Sequence, residues 1–328
     1  MNTSINSILE YVSERKIYIV GDVMLDRYIL GNVNRISPEA PVQVFDLEET
    51  SNRLGGAANV ALNIKMLGSI PVMLGVIGAD ESAEILKNAF EKNNIDTSGL
   101  ITDLNRFTTT KTRLIASSQH LLRIDSESKE DIGADIEDKI VSRLNDEKNE
   151  IDIIILQDYN KGVLTKNLIS RITAFAKDNE KRVLVDPKFF NFLEYKGAFV
   201  FKPNKKELQE AFTKKINTDE ELIAVCSELV DIIECKYLVL TLGEKGMIMF
   251  SKSNGVPDYV KIPTHARKVA DVSGAGDTVV STLAVCLSGG ADIYDAVKIS
   301  NYAAGMVVEE IGIVPITKDN LIKRFHEL

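Results

Sequence analysis

The strongest constraint on this chain is a repeated alternation between short apolar runs and amphipathic stretches. Pro71–Val76, Ile151–Leu156, Arg182–Val185 and Ala198–Phe201 are too short for helices and rich in branched residues, so each reads as a strand. Ser82–Asn93 and Thr165–Asp178 carry helical periodicity between them. Runs such as Ile153-Ile154-Ile155 lack the in–out alternation of a half-exposed strand, which calls for a sheet covered on both faces. The pattern predicts an α/β fold with a mostly parallel central sheet. Lys16–Val20 adds a first strand, and Met247–Phe250 with Tyr259–Ile262 read as a hairpin.

Two stretches break the alternation. In Asn34–Arg53, Pro38 and Pro41 exclude helix interior, while Val42, Val44 and Leu47 suggest a strand outside the main sheet. Thr108–Ile115 alternates through Thr110, Thr112 and Leu114, and Leu121–Ile124 can pair with it. These pieces are expected to form a small β lid, in segments 34–53 and 108–124. No repeat, low-complexity tract or linker divides the chain, so residues 1–328 are read as one domain carrying that lid.

The net charge of −9 argues against a nucleic-acid partner, which normally meets a basic face. Local lysines and arginines can still hold a phosphate. The three cysteines, Cys226, Cys235 and Cys286, form no C-x-x-C pair and are expected to be buried thiols. None of His120, His265 and His326 is paired at metal-ligand spacing, and His265 is expected to be a surface or packing residue. The first residues do not read as a signal peptide, and no apolar run reaches spanning length. A cytoplasmic protein without a membrane partner is expected. A P-loop is absent, and Gly21 does not open a dinucleotide fingerprint.

Chemistry concentrates in Asp271-Val272-Ser273-Gly274-Ala275-Gly276-Asp277-Thr278. Small residues at Gly274, Ala275 and Gly276 leave backbone N–H groups uncovered where a helix begins, which makes a pocket for an anion. Asp277 at its mouth can accept a proton from a hydroxyl, and the helix start is expected to keep it ionised. Gly55-Gly56-Ala57-Ala58-Asn59 allows close backbone approach and offers Asn59 to a hydroxyl, or simply packs a helix on a sheet. Asp22 and Asp26, after the first strand, can accept from sugar hydroxyls, although Asp22 also reads as a turn cap. Asn204 with Glu207 equally reads as a capping box.

Together, Gly55–Asn59 and Asp271–Asp277 resemble the two signatures of the ribokinase-like (PfkB) carbohydrate kinases, in order and separation, over essentially the whole chain. The resemblance implies a three-layer α/β/α sandwich with a β-sheet lid. It also implies ATP and Mg²⁺ as cofactors, with a monovalent cation such as K⁺ as a further candidate. Asp277 would be the base, Gly274–Gly276 the anion hole, and Asp26, Gly55, Gly56 and Asn59 the sugar ligands. Thr241, Gly243 and Gly246, with Asn204, would bind nucleotide, and Glu207 would organise Mg²⁺ through water.

Gly21–Tyr28, Arg35–Val42, Asp158-Tyr159, Lys161-Gly162 and Asp186–Lys188 further resemble the kinases acting on D-glycero-D-manno-heptose 7-phosphate. Ser273 departs from the usual Thr, and Gln157 from a commoner Ser. Many such kinases are fused to an adenylyltransferase, whereas this chain ends at Leu328, so a stand-alone kinase is expected. The implied reaction is phosphorylation of the anomeric hydroxyl, in a heptose pathway serving the lipopolysaccharide core. Kinases for fructose 1-phosphate or tagatose 6-phosphate are neighbouring readings. A sugar-phosphate sensor is the non-enzymatic one, against which an intact Asp277 argues. A 7-phosphate in a negatively charged protein needs local cations, for which Arg113, Lys161 and Lys188 are the candidates. Lid strands with an open edge are expected to pair with a second copy, giving a homodimer.

Overall fold

The computed structural model describes residues 5–117, 119–253, 255–264, 270–309 and 314–326. His265 lies outside the described residues, as does position 118 within the expected second lid segment. In chain order the strands are β1 (Lys16–Gly21), β2 (Val23–Ile36), β3 (Gln43–Gly56), β4 (Ile70–Ile77), β5 (Leu100–Thr102), β6 (Thr110–Ala116) and β7 (Gln119–Ser126). They continue with β8 (Ile151–Gln157), β9 (Arg182–Asp186), β10 (Val200–Phe201), β11 (Tyr237–Thr241), β12 (Met247–Ser253) and β13 (Val256–Ile262).

Nine of these form the central sheet, in the order β13-β12-β11-β10-β9-β8-β1-β4-β5. Pairing is parallel from β5 across to β11 and antiparallel only at the β11-β12-β13 end. The inner strands bury both faces, as the unbroken apolar runs require, whereas the edge strands β5 and β13 are largely exposed or half-buried. Ile17 and Ile19 of β1 join one core cluster, and Tyr18 and Val20 join the other.

The helices are α1 (Ile5–Glu10), α2 (Ala57–Met66), α3 (Glu81–Lys92), α4 (Ala134–Asp146), α5 (Lys166–Asp178), α6 (Lys205–Ala211), α7 (Asp219–Ile233), α8 (Ala275–Ser288), α9 (Ile293–Val307) and α10 (Lys318–Phe325). Those from α1 to α3 and from α8 to α10 pack on one face of the sheet, and α4 to α7 on the other. The result is the expected three-layer α/β/α arrangement. Polar side chains start most of these helices: Asp80, Thr165, Asn204, Thr218, Asp292 and Thr317 each accept from an N–H of the first turn. No described helix is long and apolar enough to cross a membrane. The three cysteines are buried thiols, as expected.

The lid is a separate four-stranded sheet, β3-β2-β6-β7. It is larger than the sequence suggests. β2 begins at Val23 and β3 runs to Gly56, fourteen residues each, where segment 34–53 had suggested one short strand. Gly55 and Gly56 therefore close a lid strand before α2 starts at Ala57. A Cβ on Gly55 would come within 2.3 Å of an Asp26 carboxylate oxygen, and Gly56 has a positive φ of 57°. Only glycine fits this corner.

Candidate active site

The carboxyl ends of β1, β8 and β9 meet where successive connections leave β1 in opposite directions, the usual place for a ligand in an open α/β sheet. Asp22, Gln157, Asp158 and Asp186 stand at or just beyond these strand ends, and of them Gln157 and Asp186 reach the first turn of α8. Gly274 caps α8 with a left-handed φ of 78°, so the chain turns sharply into the helix. The first N–H groups of a helix lack intrahelical partners, so this turn offers donors to an anion. A Cβ on Gly276 would stand 3.6 Å from Lys202 Nζ and 3.7 Å from Asp186 Oδ2. Glycine keeps that space open.

Asp277 is the third residue of α8 and is buried. Asn59 Nδ2 donates to its Oδ2 at 2.8 Å. The Tyr159 hydroxyl donates to its Oδ1 at 2.6 Å, and Gln157 Nε2 reaches the same oxygen at 3.3 Å. Burial pushes the Asp277 carboxyl up to about 6, with the Tyr159 and Asn59 donors pulling the other way. Its carboxyl lies above the usual aspartate range, though at neutral pH it is still mainly ionised. Desolvation wins, which leaves a better proton acceptor near neutral pH.

Gln157 resolves the departure noted at its position. Its amide also donates to Asp186 Oδ2 at 3.1 Å, so one NH₂ group bridges two carboxylates. Lys202 completes the cluster with an ion pair to Asp186 at 2.9 Å, both side chains being under a tenth exposed.

In front of this cluster lies a cavity of about 450 Å³. Asp277, Gly274, Gly276, Lys202, Lys188, Asn204, Glu207, Thr241 and Gly243 line it. A second cavity, of about 690 Å³, shares Thr241, Gly243, Val272 and Gly276 with the first. Its walls are mainly apolar, with Met247, Ala275, Val279, Ala304 and Val308, and they include Gly246. A lysine-lined compartment beside a greasy slot suits a polyphosphate carrying a flat base.

The pattern for "pfkB family carbohydrate kinase" matches residues 14–319. The chain belongs to the pfkB family of carbohydrate kinases. It is 40% identical to the "Bifunctional protein HldE" of Geobacter sulfurreducens over 319 residues, covering 97% of this chain and 64% of that protein. The protein of the same name from Aliarcobacter butzleri is 42% identical over 305 residues, or 93% of this chain and 63% of that one. The chain thus spans a little under two thirds of these relatives. Among solved structures, phosphofructokinase-2 from Escherichia coli in complex with potassium superposes with a TM-score of 0.77 at 17% identity, covering 95% of this chain and 98% of that one. Arabidopsis thaliana ribokinase with ribose and ATP gives 0.72 at 18% identity, covering 94% and 98% respectively. At these identities the likeness shows the ribokinase-like fold.

The other pfkB-type residues singled out in the sequence fall into groups. Asn204 and Glu207 form a full capping box at α6, the structural alternative already visible in the sequence. Glu207 also pairs with Lys188, so both face the phosphate compartment. Asp22 has a different task from meeting sugar hydroxyls. Its carboxylate accepts backbone N–H bonds from Tyr159, Lys161 and Val163 at 2.8, 3.1 and 3.1 Å, and it is 1% exposed. It anchors the loop that delivers Tyr159. Asp26 is buried and pairs with Arg113 at 2.5 Å, while Lys161 pairs with Glu127 at 2.6 Å. Each of the three expected phosphate cations thus already faces a carboxylate.

Sequence reasoning missed Tyr159, Gln157 and Lys202 as site residues. The available signals were their place just after apolar strand runs and, for Tyr159 and Gln157, the Asp158-Tyr159 stretch and the departure at Gln157 already noted.

The fold family implies ATP and Mg²⁺. Asp186 and Glu207 are hard oxygen donors on the phosphate compartment, and no group of three or more described His, Cys, Asp or Glu residues could cage a metal. That donor set fits a Mg²⁺ that keeps waters and phosphate oxygens as its main ligands.

Proposed function

We propose that this chain is a kinase domain, spanning 1–328 with its lid, that transfers the γ-phosphoryl of ATP to the anomeric hydroxyl of D-glycero-D-manno-heptose 7-phosphate. The observation that carries a kinase reading is Asp277. A buried carboxyl raised to about 6 stands in the first turn of a glycine-opened helix, beside a lysine-lined cavity. The heptose reading rests on Gly21–Tyr28, Arg35–Val42 and the Asp158–Gly162 loop.

In this mechanism Asp277 accepts the proton of the sugar hydroxyl as the bond to phosphorus forms. Gly274, Ala275 and Gly276 hold the transferring phosphoryl through backbone N–H groups, and Lys202 stands ready to offset its charge. Thr241, Gly243 and Gly246 wall the nucleotide compartment. Asp186 and Glu207 would hold Mg²⁺ through water, and Mg²⁺ supplies neutralisation of the phosphate oxygens. The lid closes over the sugar and excludes water, which would otherwise take the phosphoryl group. A K⁺ requirement and a cytoplasmic place in lipopolysaccharide-core synthesis belong to the same reading.

Phosphorus NMR of products from Mg-ATP and a panel of phosphosugars tests it. A new anomeric phosphate resonance is expected with heptose 7-phosphate. Faster turnover of fructose 1-phosphate or tagatose 6-phosphate would replace the heptose reading, and no turnover of any sugar would favour a sensor.

A further inference from the structure

The inward face of the lid carries more cations than its carboxylates can neutralise. Strand register puts Arg53, Asp26, Lys111 and Asp125 side by side across β3, β2, β6 and β7. The next inward row carries Tyr28, Arg113 and Arg123. Residues level with one another in a sheet share a face. Two of these cations are matched internally, Arg113 to Asp26 at 2.5 Å and Arg123 to Asp125 at 2.9 Å. Lys161 and Lys188, which approach from the body, are matched to Glu127 and Glu207.

Lys111 is different. Among the described residues it has no carboxylate within ion-pair distance, although it is half-buried. Its Nζ lies 5.7 Å from the centre of the Tyr159 ring, and the hydroxyl of that ring is the one bonded to Asp277. The ammonium is therefore one tyrosine ring and one hydrogen bond away from the base. Burial pushes its pKa down, partly offset by Asp26, as befits a desolvated cation short of a counter-charge. A ring face compensates an ammonium only in part. An anion there would restore what folding removed.

We propose that Lys111 is the residue that selects a phosphorylated sugar, its ammonium taking the substrate's distal phosphate while the opposite end of the sugar meets Asp277. The inference rests on the phosphosugar-kinase reading above and names the determinant within it. Arg113 and Tyr28 then hold Asp26 and the lid face in place, Arg53 lies exposed over the Tyr28 ring, and the half-buried cation left unmatched on this face among the described residues is Lys111. Lys188, on the nucleotide side with Glu207, is left to the other phosphates.

The test compares wild type with Lys111→Met and Lys111→Arg on heptose 7-phosphate and on free heptose. The preference for the phosphorylated sugar, as a ratio of kcat/KM values, should fall about 10- to 100-fold in Lys111→Met, mainly through KM. Lys111→Arg should recover part of it. An unchanged ratio overturns the proposal. So does a raised KM for ATP with the sugar KM unmoved, because that would place the nucleotide's phosphate on Lys111.

A second arm needs no turnover. Inorganic phosphate, against chloride at matched ionic strength, should slow reductive methylation of Lys111 and leave the exposed Lys139 unaffected, read by mass spectrometry of the peptides. Equal rates for Lys111 in both salts overturn the proposal. Should wild type leave heptose 7-phosphate unphosphorylated, the substrate reading fails by itself and the methylation arm still decides Lys111.

Discussion

The Tyr159 hydroxyl donates to Asp277 Oδ1 at 2.6 Å, across 118 residues of sequence. A donor on a carboxylate favours its charged form, so this bond opposes the burial that raises Asp277.

Tyr159→Phe should therefore move the acid limb of kcat/KM from near pH 6 to higher pH, by about one unit. Activity should recover at alkaline pH, where Asp277 is ionised again. A uniform loss at every pH would mean that Tyr159 shapes the loop and does not tune the base.

Asp277→Asn should lower kcat by ~10²–10⁴-fold and leave sugar and nucleotide affinities nearly intact. The same substitution should stabilise the protein at alkaline pH. Asp277 has a folded value of about 6 against an ordinary 3.8, so its contribution to stability is fully present below 3.8 and is lost as pH rises through 6. Relative to the unfolded chain, carrying that charge costs the folded state about 3 kcal/mol at pH 8. Asparagine escapes that cost and can still accept from Tyr159. Asn59 Oδ1, a buried atom without a partner among the described residues, can turn to meet the new amide. Urea denaturation should show the variant ahead at pH 8 and level with wild type near pH 4. Turnover within a few-fold of wild type would remove Asp277 from the role of base.

What was legible in the sequence follows the same physics. Gly55, Gly56 and the Gly274–Gly276 turn announce themselves because a chain must use glycine where backbone approaches a ligand or a carboxylate closely. The central strands announce themselves because burial on both faces demands unbroken apolar runs. β2 does not, since Gly31, Asn32 and Asn34 interrupt a lid strand with no single covered face. Tyr159 and Gln157 gain their roles only through bonds spanning 118 and 120 residues, which no local spacing encodes. Nor can spacing show that Arg113 is neutralised by Asp26 while Lys111 is not.

The buried pair of Lys202 and Asp186 gives a prediction about stability. Removing one partner leaves the other charge buried and unmatched, which typically costs about 3–5 kcal/mol. Lys202→Met should show that loss in chemical denaturation. Adding Asp186→Asn should restore much of it, because the oxygen of the new amide can still accept from Gln157 Nε2. If the double variant is as unstable as the single one, Lys202 matters for its packing and not for the charge it balances.

The lid also bears on assembly. β7 is one of the two edge strands of the lid sheet, the other being β3, and all eight of its residues are exposed. Leu122 and Ile124 stand 55% and 50% exposed on the side opposite Arg113 and Arg123, level with Leu114 and Thr112. The charged face looks toward Asp277 through Lys111 and Tyr159, so the apolar face looks away from the site. An open edge with an apolar face favours pairing with a second copy of the same sheet. We therefore expect a homodimer joined lid to lid. Each buried leucine or isoleucine contributes about 1.5–3 kcal/mol, and two-fold symmetry counts each of them twice. Leu122→Glu with Ile124→Lys should weaken association at least about a hundred-fold. Sedimentation velocity should then show wild type as a dimer and the double variant as a monomer. Arg123→Ala, on the opposite face, should leave the dimer intact. A wild-type monomer, or a dimer untouched by the double substitution, would place any assembly surface away from the lid.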